Sequence, residues 1–355
     1  MIKVLMIGNH PSNKGGMTSV INQIRNHRWT DEGIELSFIP TYYPGNPIRK
    51  TLCFAASYTR ILWRFITAKP DIVHMHMSYK GSFSRKNAVH RLCKAFHVKD
   101  IIHLHGSEFA KWYDSADSKL KAEIQKLLEE CSCFIVLGEK WKEVIRRIAP
   151  AANVRIISNG IEVPKETVCW NDNRCQVLYL GVLIPRKGVS DLIDAVSVLN
   201  RNGELKNQVF VIAGTGEEEE KLKNQTEEAG LNGIVQFAGW VSGEKKDELL
   251  RSSQILVSPS YNEGLPISIL EAASYGMPIV STDVGDISAV VRDGKNGILI
   301  KPGDTDALAK GIENVSNRDT FSRMSAESRK IIEENFSIDV FLRNIRQAYE
   351  ECLHQ

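Results

Sequence analysis

Ser258-Pro259-Ser260-Tyr261-Asn262-Glu263-Gly264-Leu265-Pro266-Ile267-Ser268-Ile269-Leu270-Glu271-Ala272-Ala273 is the stretch on which the reading of this chain turns. It leaves a short apolar run, Ile255–Ser258, crosses a loop of turn-forming residues and enters a helical pattern. A fully apolar strand followed by a helix is the repeating unit of a parallel sheet covered on both faces. Glu271 interrupts the apolar series Ile267, Leu270, Ala272, on a helix face expected to be buried or to line a cleft. A carboxylate there is costly unless it is paired or hydrogen-bonded. Vicinal hydroxyls suit it, because one carboxylate accepts from two neighbouring donors. The amides of Gly264 and Leu265, at the start of the same helix, point toward an anion.

The strand–helix unit repeats outward in both directions. Further strands are expected at Val177–Gly181, Val209–Gly214, Ile234–Ala238, Ile279–Ser281 and Gly297–Ile300. The first half offers Lys3–Gly8, Glu35–Ile39, Ile72–Met77, Ile101–His105, Phe134–Leu137 and Val154–Ile157, with helix-period segments such as Met17–Asn26 and Lys119–Leu128 between them. The polar, weakly periodic Pro164–Cys175 reads as a linker between domains at 1–165 and 176–335. A last helix, Ile338–Cys352 within residues 336–355, is expected to pack back toward the first domain. A chain of 355 residues suits two such domains. The expected fold class is α/β, two Rossmann-like doubly wound domains facing a central cleft. Ligands of such sheets sit at the carboxyl ends of the strands.

Charge divides the chain as the strands do. Of 45 Lys+Arg and 43 Asp+Glu, residues 1–170 hold 25 and 15, so the first half is basic and the second acidic. Halves of opposite sign suit different partners. The basic excess centres on Ile48–Lys99, with 11 cations and one acid, Asp71. Aromatic residues stand among those cations (Tyr58, Trp63 and Phe65 beside Arg60 and Arg64), a mixture that suits an anionic membrane surface. A solvated face would carry the same residues. Nucleic acid is not expected as a partner, since no recognised nucleic-acid module accompanies the run. The longest apolar stretch, Leu52–Ala68, contains two arginines and is a poor membrane span. Seven cysteines without a Cys-x-x-Cys read as free thiols. With no signal peptide at the start, a cytoplasmic location, peripheral to the inner face of the cell membrane, is expected.

Three other strand ends carry candidate ligand contacts. Arg186-Lys187-Gly188 follows Val177–Gly181 and precedes a helix from Val189. Two cations at a helix amino terminus suit a diphosphate, although a solvated turn would hold them equally. Gly214, in Ala213-Gly214-Thr215-Gly216, either lets a ligand approach the backbone or makes a turn. A base ring would lie near Trp240 or Val241, unless these only pack the core.

Taken in order, the landmarks resemble glycosyltransferase family 4. They are Asp71-Ile72-Val73-His74-Met75-His76, Ile101-Ile102-His103-Leu104-His105-Gly106, Ile157-Ser158-Asn159-Gly160-Ile161-Glu162, Arg186-Lys187-Gly188, the Glu263-x7-Glu271 pair with Gly-Leu-Pro, Ala273–Thr282 and Arg292–Gly297. The resemblance implies a retaining transferase of the GT-B fold with no obligatory metal. Arg186 and Lys187 would hold the donor diphosphate, Glu263 would contact hydroxyls of the transferred sugar, and Glu271 would accept from the ribose. Gly15 and Gly16 would lie where the first loop meets the donor phosphate. His105 would stand near the reacting sugar, or else be a strand-end histidine satisfied by backbone. Asp286 departs from the family, many members of which have a second glycine after Gly285. The expected donor is a nucleotide sugar, UDP-linked ahead of GDP-linked, and the expected acceptor a lipid-linked glycan in surface polysaccharide biosynthesis. Rival readings are a sugar-nucleotide epimerase of the same fold, which turns over donor alone, and a non-catalytic partner subunit. The four histidines 74, 76, 103 and 105 have no carboxylate or cysteine at ligand spacing, so no metal site is expected among them.

Overall fold

The computed structural model describes residues 1–13, 15–205 and 207–354. In chain order the elements are β1 (Ile2–Asn9), α1 (Gly16–Asn26), β2 (Ile34–Tyr42), α2 (Pro47–Thr67), β3 (Ile72–Met77), α3 (Gly81–Phe96), β4 (Lys99–Leu104), α4 (Phe109–Asp114), α5 (Ser118–Glu130), β5 (Cys133–Val136), α6 (Glu139–Ile148) and β6 (Val154–Ile156). They continue with β7 (Cys175–Leu180), α7 (Val189–Arg201), β8 (Gln208–Ala213), α8 (Glu219–Glu228), β9 (Val235–Gly239), α9 (Glu244–Ser252), β10 (Ile255–Ser258), α10 (Ile267–Ser274), β11 (Ile279–Thr282), β12 (Gly297–Ile300), α11 (Thr305–Val315), α12 (Arg318–Asn335) and α13 (Ile338–His354).

The chain forms two compact units, one of Met1–Asn159 with α13 from Phe341 on, the other of Gly160–Val340. Each holds one six-stranded sheet, in the orders β2-β1-β3-β4-β5-β6 and β12-β11-β10-β7-β8-β9. Neighbouring strands are parallel throughout. Strand order reverses between β1 and β3 in the first unit and between β7 and β10 in the second. Such reversals open a crevice at the strands' carboxyl ends, where doubly wound sheets bind ligands.

Buried on both faces, β3 shows how the sequence serves two layers. Side chains alternate along a strand, so Val73, Met75 and Met77 enter the apolar core shared with α2, α3 and α5. His74 and His76 take the other face and are buried there. α2 begins with Asn46, whose side chain accepts from the Arg49 amide, and with Pro47 at its first position. Its buried side is Ser57, Ile61 and Phe65.

Two sequence expectations meet a different arrangement. The units divide at Asn159–Gly160, ahead of the expected linker Pro164–Cys175. That stretch is packed on the second unit: Val168 is buried and donates its N–H to Tyr275 O at 2.8 Å, and the Trp170 ring lies 5.5 Å from that of Phe321. Weak periodicity there reflects an extended chain held by single contacts. β4 stops at Leu104, so His105 lies just past the strand rather than within it.

Candidate active site

In the second unit, three strand ends are knitted together by backbone. After β7 the chain makes one 3₁₀ turn, Pro185–Lys187, before α7. Gly188 has φ 67°, and a Cβ there would fall 2.1 Å from Pro259 O. Only glycine tolerates that conformation at that distance. Tyr261 N donates to Arg186 O at 2.8 Å, and Arg186 Nη1 donates to Asn262 O at 2.9 Å. Gly285, with φ 56°, would place a Cβ 2.2 Å from Glu263 O. The loop carrying Glu263 is thus pressed between the turns after β7 and β11.

This packing sets two cations on one carboxylate. Lys187 Nζ bonds Glu263 Oε1, Arg186 Nη1 lies 3.9 Å from Oε2, and Ser260 Oγ donates to Oε1 at 2.8 Å. Ser260 is held in turn by Thr282 Oγ1, which donates to its carbonyl at 2.5 Å. Glu263 is buried, and a buried carboxylate persists only with partners of this kind. Asp286, where a second glycine is common in the family, is buried and donates its N–H to Gly264 O at 2.9 Å, so it braces the Glu263 loop.

Glu271 lies on α10 and meets Lys246 Nζ of α9 at 2.5 Å. Burial raises its carboxyl pKa, and Lys246 works against that rise. Gly264 and Leu265 are buried just ahead of α10. Gly214 follows β8, and a Cβ there would fall 1.7 Å from Gly181 O, so glycine lets two backbones close together. Val241 is half-buried beyond β9, next to the exposed Trp240. Lys246 and Ser260 were not singled out from the sequence: a lysine in the polar Gly243–Asp247 run and a serine in a turn-rich loop carry no mark of a buried partner.

In the first unit, Gly15 and Gly16 lie at the start of α1, at its N-cap and first residue, and both are exposed. His105 is half-buried, and its Nε2 lies 2.9 Å from His76 Nδ1. Register pairs His76 of β3 with His103 of β4. His74, His76, His103 and His105 consequently form one cluster with ring centroids 4.3–5.6 Å apart. Tyr349 of α13 closes it, with its hydroxyl 2.8 Å from His74 Nδ1. Burial, joined at His74, His76 and His103 by coupling to neighbouring imidazoles, disfavours the charged rings: the pKa values of His74 and His105 fall to about 3, and those of His76 and His103 lie well below the ordinary value. One ring nitrogen each from His74, His76 and His103 lie within 4.8 Å of one another, although the sequence sets no carboxylate or cysteine at ligand spacing with them.

Doubly wound parallel sheets of these two orders, with a cation–carboxylate cluster after β7 and β10, describe a glycosyltransferase of the GT-B fold. Residues 163–335 match the family described as glycosyl transferases group 1, and residues 24–164 match glycosyltransferase family 4. The UDP-Gal:α-D-GlcNAc-diphosphoundecaprenol α-1,3-galactosyltransferase of Escherichia coli is 26% identical over 342 residues, 90% of this chain and 85% of that one. Sucrose-phosphate synthase from Thermosynechococcus elongatus shares the fold with a TM-score of 0.83 at 17% identity, covering 100% of both chains. Anabaena HepE in complex with UDP aligns with a TM-score of 0.79 at 17% identity over 99% of this chain and 100% of that one. The chain belongs to glycosyltransferase family 4 and is a glycosyltransferase of glycan biosynthesis.

Proposed function

We propose that this glycosyltransferase transfers a sugar with retention from a UDP-sugar to a lipid-linked glycan, working on an anionic membrane surface. The observation that carries the reading is the Arg186–Lys187–Glu263 cluster with Glu271 a short way along the same segment. Lys187, already bonded to Glu263, is placed to bridge a sugar-contacting carboxylate and the donor diphosphate. Arg186 adds a fork for the phosphate oxygens. Glu271 takes the ribose hydroxyls. A nucleoside diphosphate leaves readily once its charge is offset, so the reading assigns catalysis to fixed cations and the amino terminus of α7. The departing phosphate takes the acceptor's proton on the face from which it leaves. A UDP-sugar and a diphospholipid acceptor are both in the name of the Escherichia coli relative, and UDP is bound in the HepE structure.

The membrane part of the reading rests on α2. Ile48, Leu52, Trp63 and Ile66 are exposed by 71%, 66%, 65% and 64%. At 3.6 residues per turn they fall within an arc of about 60°, opposite the buried Ile61 side. The helix carries Arg49, Lys50, Arg60 and Arg64 and no acid. An apolar stripe flanked by cations suits the headgroup region of an anionic bilayer. No helix among the described residues is long and apolar enough to cross a membrane.

Screening nucleotide sugars for thermal stabilisation and then for slow hydrolysis tests the donor. Stabilisation by UDP-sugars supports the reading, and a response to none of them defeats it. Flotation tests the surface: recovery with anionic liposomes should exceed that with neutral ones and drop with salt. Equal recovery on both, or recovery untouched in a Trp63→Ser, Arg64→Ser variant, rules out docking through α2.

A further inference from the structure

We infer that His76 is a positioning residue that fixes the tautomer of His105, so that His105 presents an Nδ1–H donor and is not a base. The inference rests on the expectation, implied by the family resemblance, that His105 stands beside the reacting sugar of the transfer proposed above. A neutral imidazole has one N–H and one lone pair, and both rings are neutral. Between His76 Nδ1 and His105 Nε2, 2.9 Å apart, there is one hydrogen to place. If His105 supplied it from Nε2, the hydrogen of His76 itself would sit on His76 Nε2, which is buried with no partner. A buried N–H without an acceptor is rarer and costlier than a buried lone pair without a donor. The hydrogen therefore belongs to His76 Nδ1, which donates to His105 Nε2. His105 then carries its own hydrogen on Nδ1, the ring nitrogen left for a ligand.

The surroundings hold this arrangement in place. His76 is wholly buried, on the face of β3 that it shares with His74, and that burial, with a smaller contribution from Lys86, opposes a second proton on its ring. Lys86 is itself buried, with Nζ 3.1 Å from Thr41 Oγ1. The carbonyl of Met77 accepts from the His105 amide at 2.8 Å, and a Cβ on Gly106 would meet Ser78 Oγ at 2.7 Å, so His105 is tied to the end of β3 and the next residue passes close by it. A ring held in this way offers a donor to a hydroxyl or phosphate oxygen. It leaves deprotonation of the acceptor to another group.

Nitrogen NMR of the ¹⁵N-histidine-labelled full chain reads the tautomer directly, with His105 assigned by its loss in His105→Phe. The Nδ1–H form at His105 is expected, and the Nε2–H form overturns the inference. Turnover supplies the second arm. His76→Leu removes the donor and should lower kcat by roughly tenfold or more with little change in the KM for nucleotide sugar. In His76→Asn an amide N–H takes the place of Nδ1–H and should restore most of that loss. Equal impairment of both variants, each folded by circular dichroism, also overturns the inference. If the Nδ1–H form is seen but His105→Phe turns over normally, the reading of His105 as a sugar contact fails and the tautomer assignment stands.

Discussion

The ends of β3 and β4 in one unit and of β10 in the other solve the same topological problem with opposite chemistry. Both lie beside the point where strand order reverses, and both bury polar side chains. The first unit gathers the imidazoles of His74, His76, His103 and His105, three of them buried, with no carboxylate among the ring contacts of this cluster or the causes of its lowered pKa values. The second sets a lysine on each of two carboxylates, Lys187 on Glu263 and Lys246 on Glu271. On the proposed reading, the neutral cluster would tolerate an acceptor of any charge, whereas the cation–carboxylate network would select a ligand bearing both phosphate and hydroxyls. The contrast follows the charge of the halves, basic before residue 170 and acidic after it.

Acid should separate the two units most strongly. Four histidines in the first unit have folded pKa values far below 6.5, so the unfolded chain binds protons that the folded one refuses. Their contribution is whole above pH 6.5 and falls by about 1.4 kcal/mol per ring for each unit below it. Burial has the reverse sign at Glu271, whose raised pKa makes protonation favour the folded state. Hydrogen exchange at pH 7.5 and 5.5 should therefore show protection lost from β3 and β4 while β10 and α10 keep theirs. Equal loss in both units would erase the contrast.

Substitution of the cations comes next in size. Arg186→Ala with Lys187→Ala should reduce turnover by roughly 10²–10⁴, two charged hydrogen bonds being worth about 1.5–3 kcal/mol each. Normal turnover in the folded double variant would remove charge recognition from the second unit. A smaller effect is expected for Lys246→Met. Without that ammonium the Glu271 pKa rises further, so UDP affinity at pH 6 should fall roughly threefold relative to pH 8, beyond any change in the wild type. A ratio equal to that of the wild type would show that Lys246 does not keep Glu271 ionised.

The sequence made the strands legible because parallel strands buried on both faces are short, largely apolar runs, such as Cys133–Val136 and Ile255–Ser258. Glu271 was legible for the converse reason, as an acid set in an apolar series, and Glu263 through the Glu-x7-Glu spacing of the family resemblance. Partners contributed by distant segments were not. Nothing in the spacing of His74 or Glu271 announces Tyr349 or Lys246, which lie on helices brought there by packing. A period of two places His74 and His76 on one face, but only strand order and register show that His103 lies beside them.

Calorimetric titration of UDP into the wild type, Glu271→Ala and Glu263→Ala tests most directly whether the second unit reads nucleotide and sugar through separate carboxylates. Glu271→Ala should weaken UDP roughly tenfold, since it loses charged hydrogen bonds to a ribose common to donor and product. Glu263→Ala should bind UDP like the wild type and lose turnover with the UDP-sugar. Wild-type UDP affinity in both variants would contradict the account.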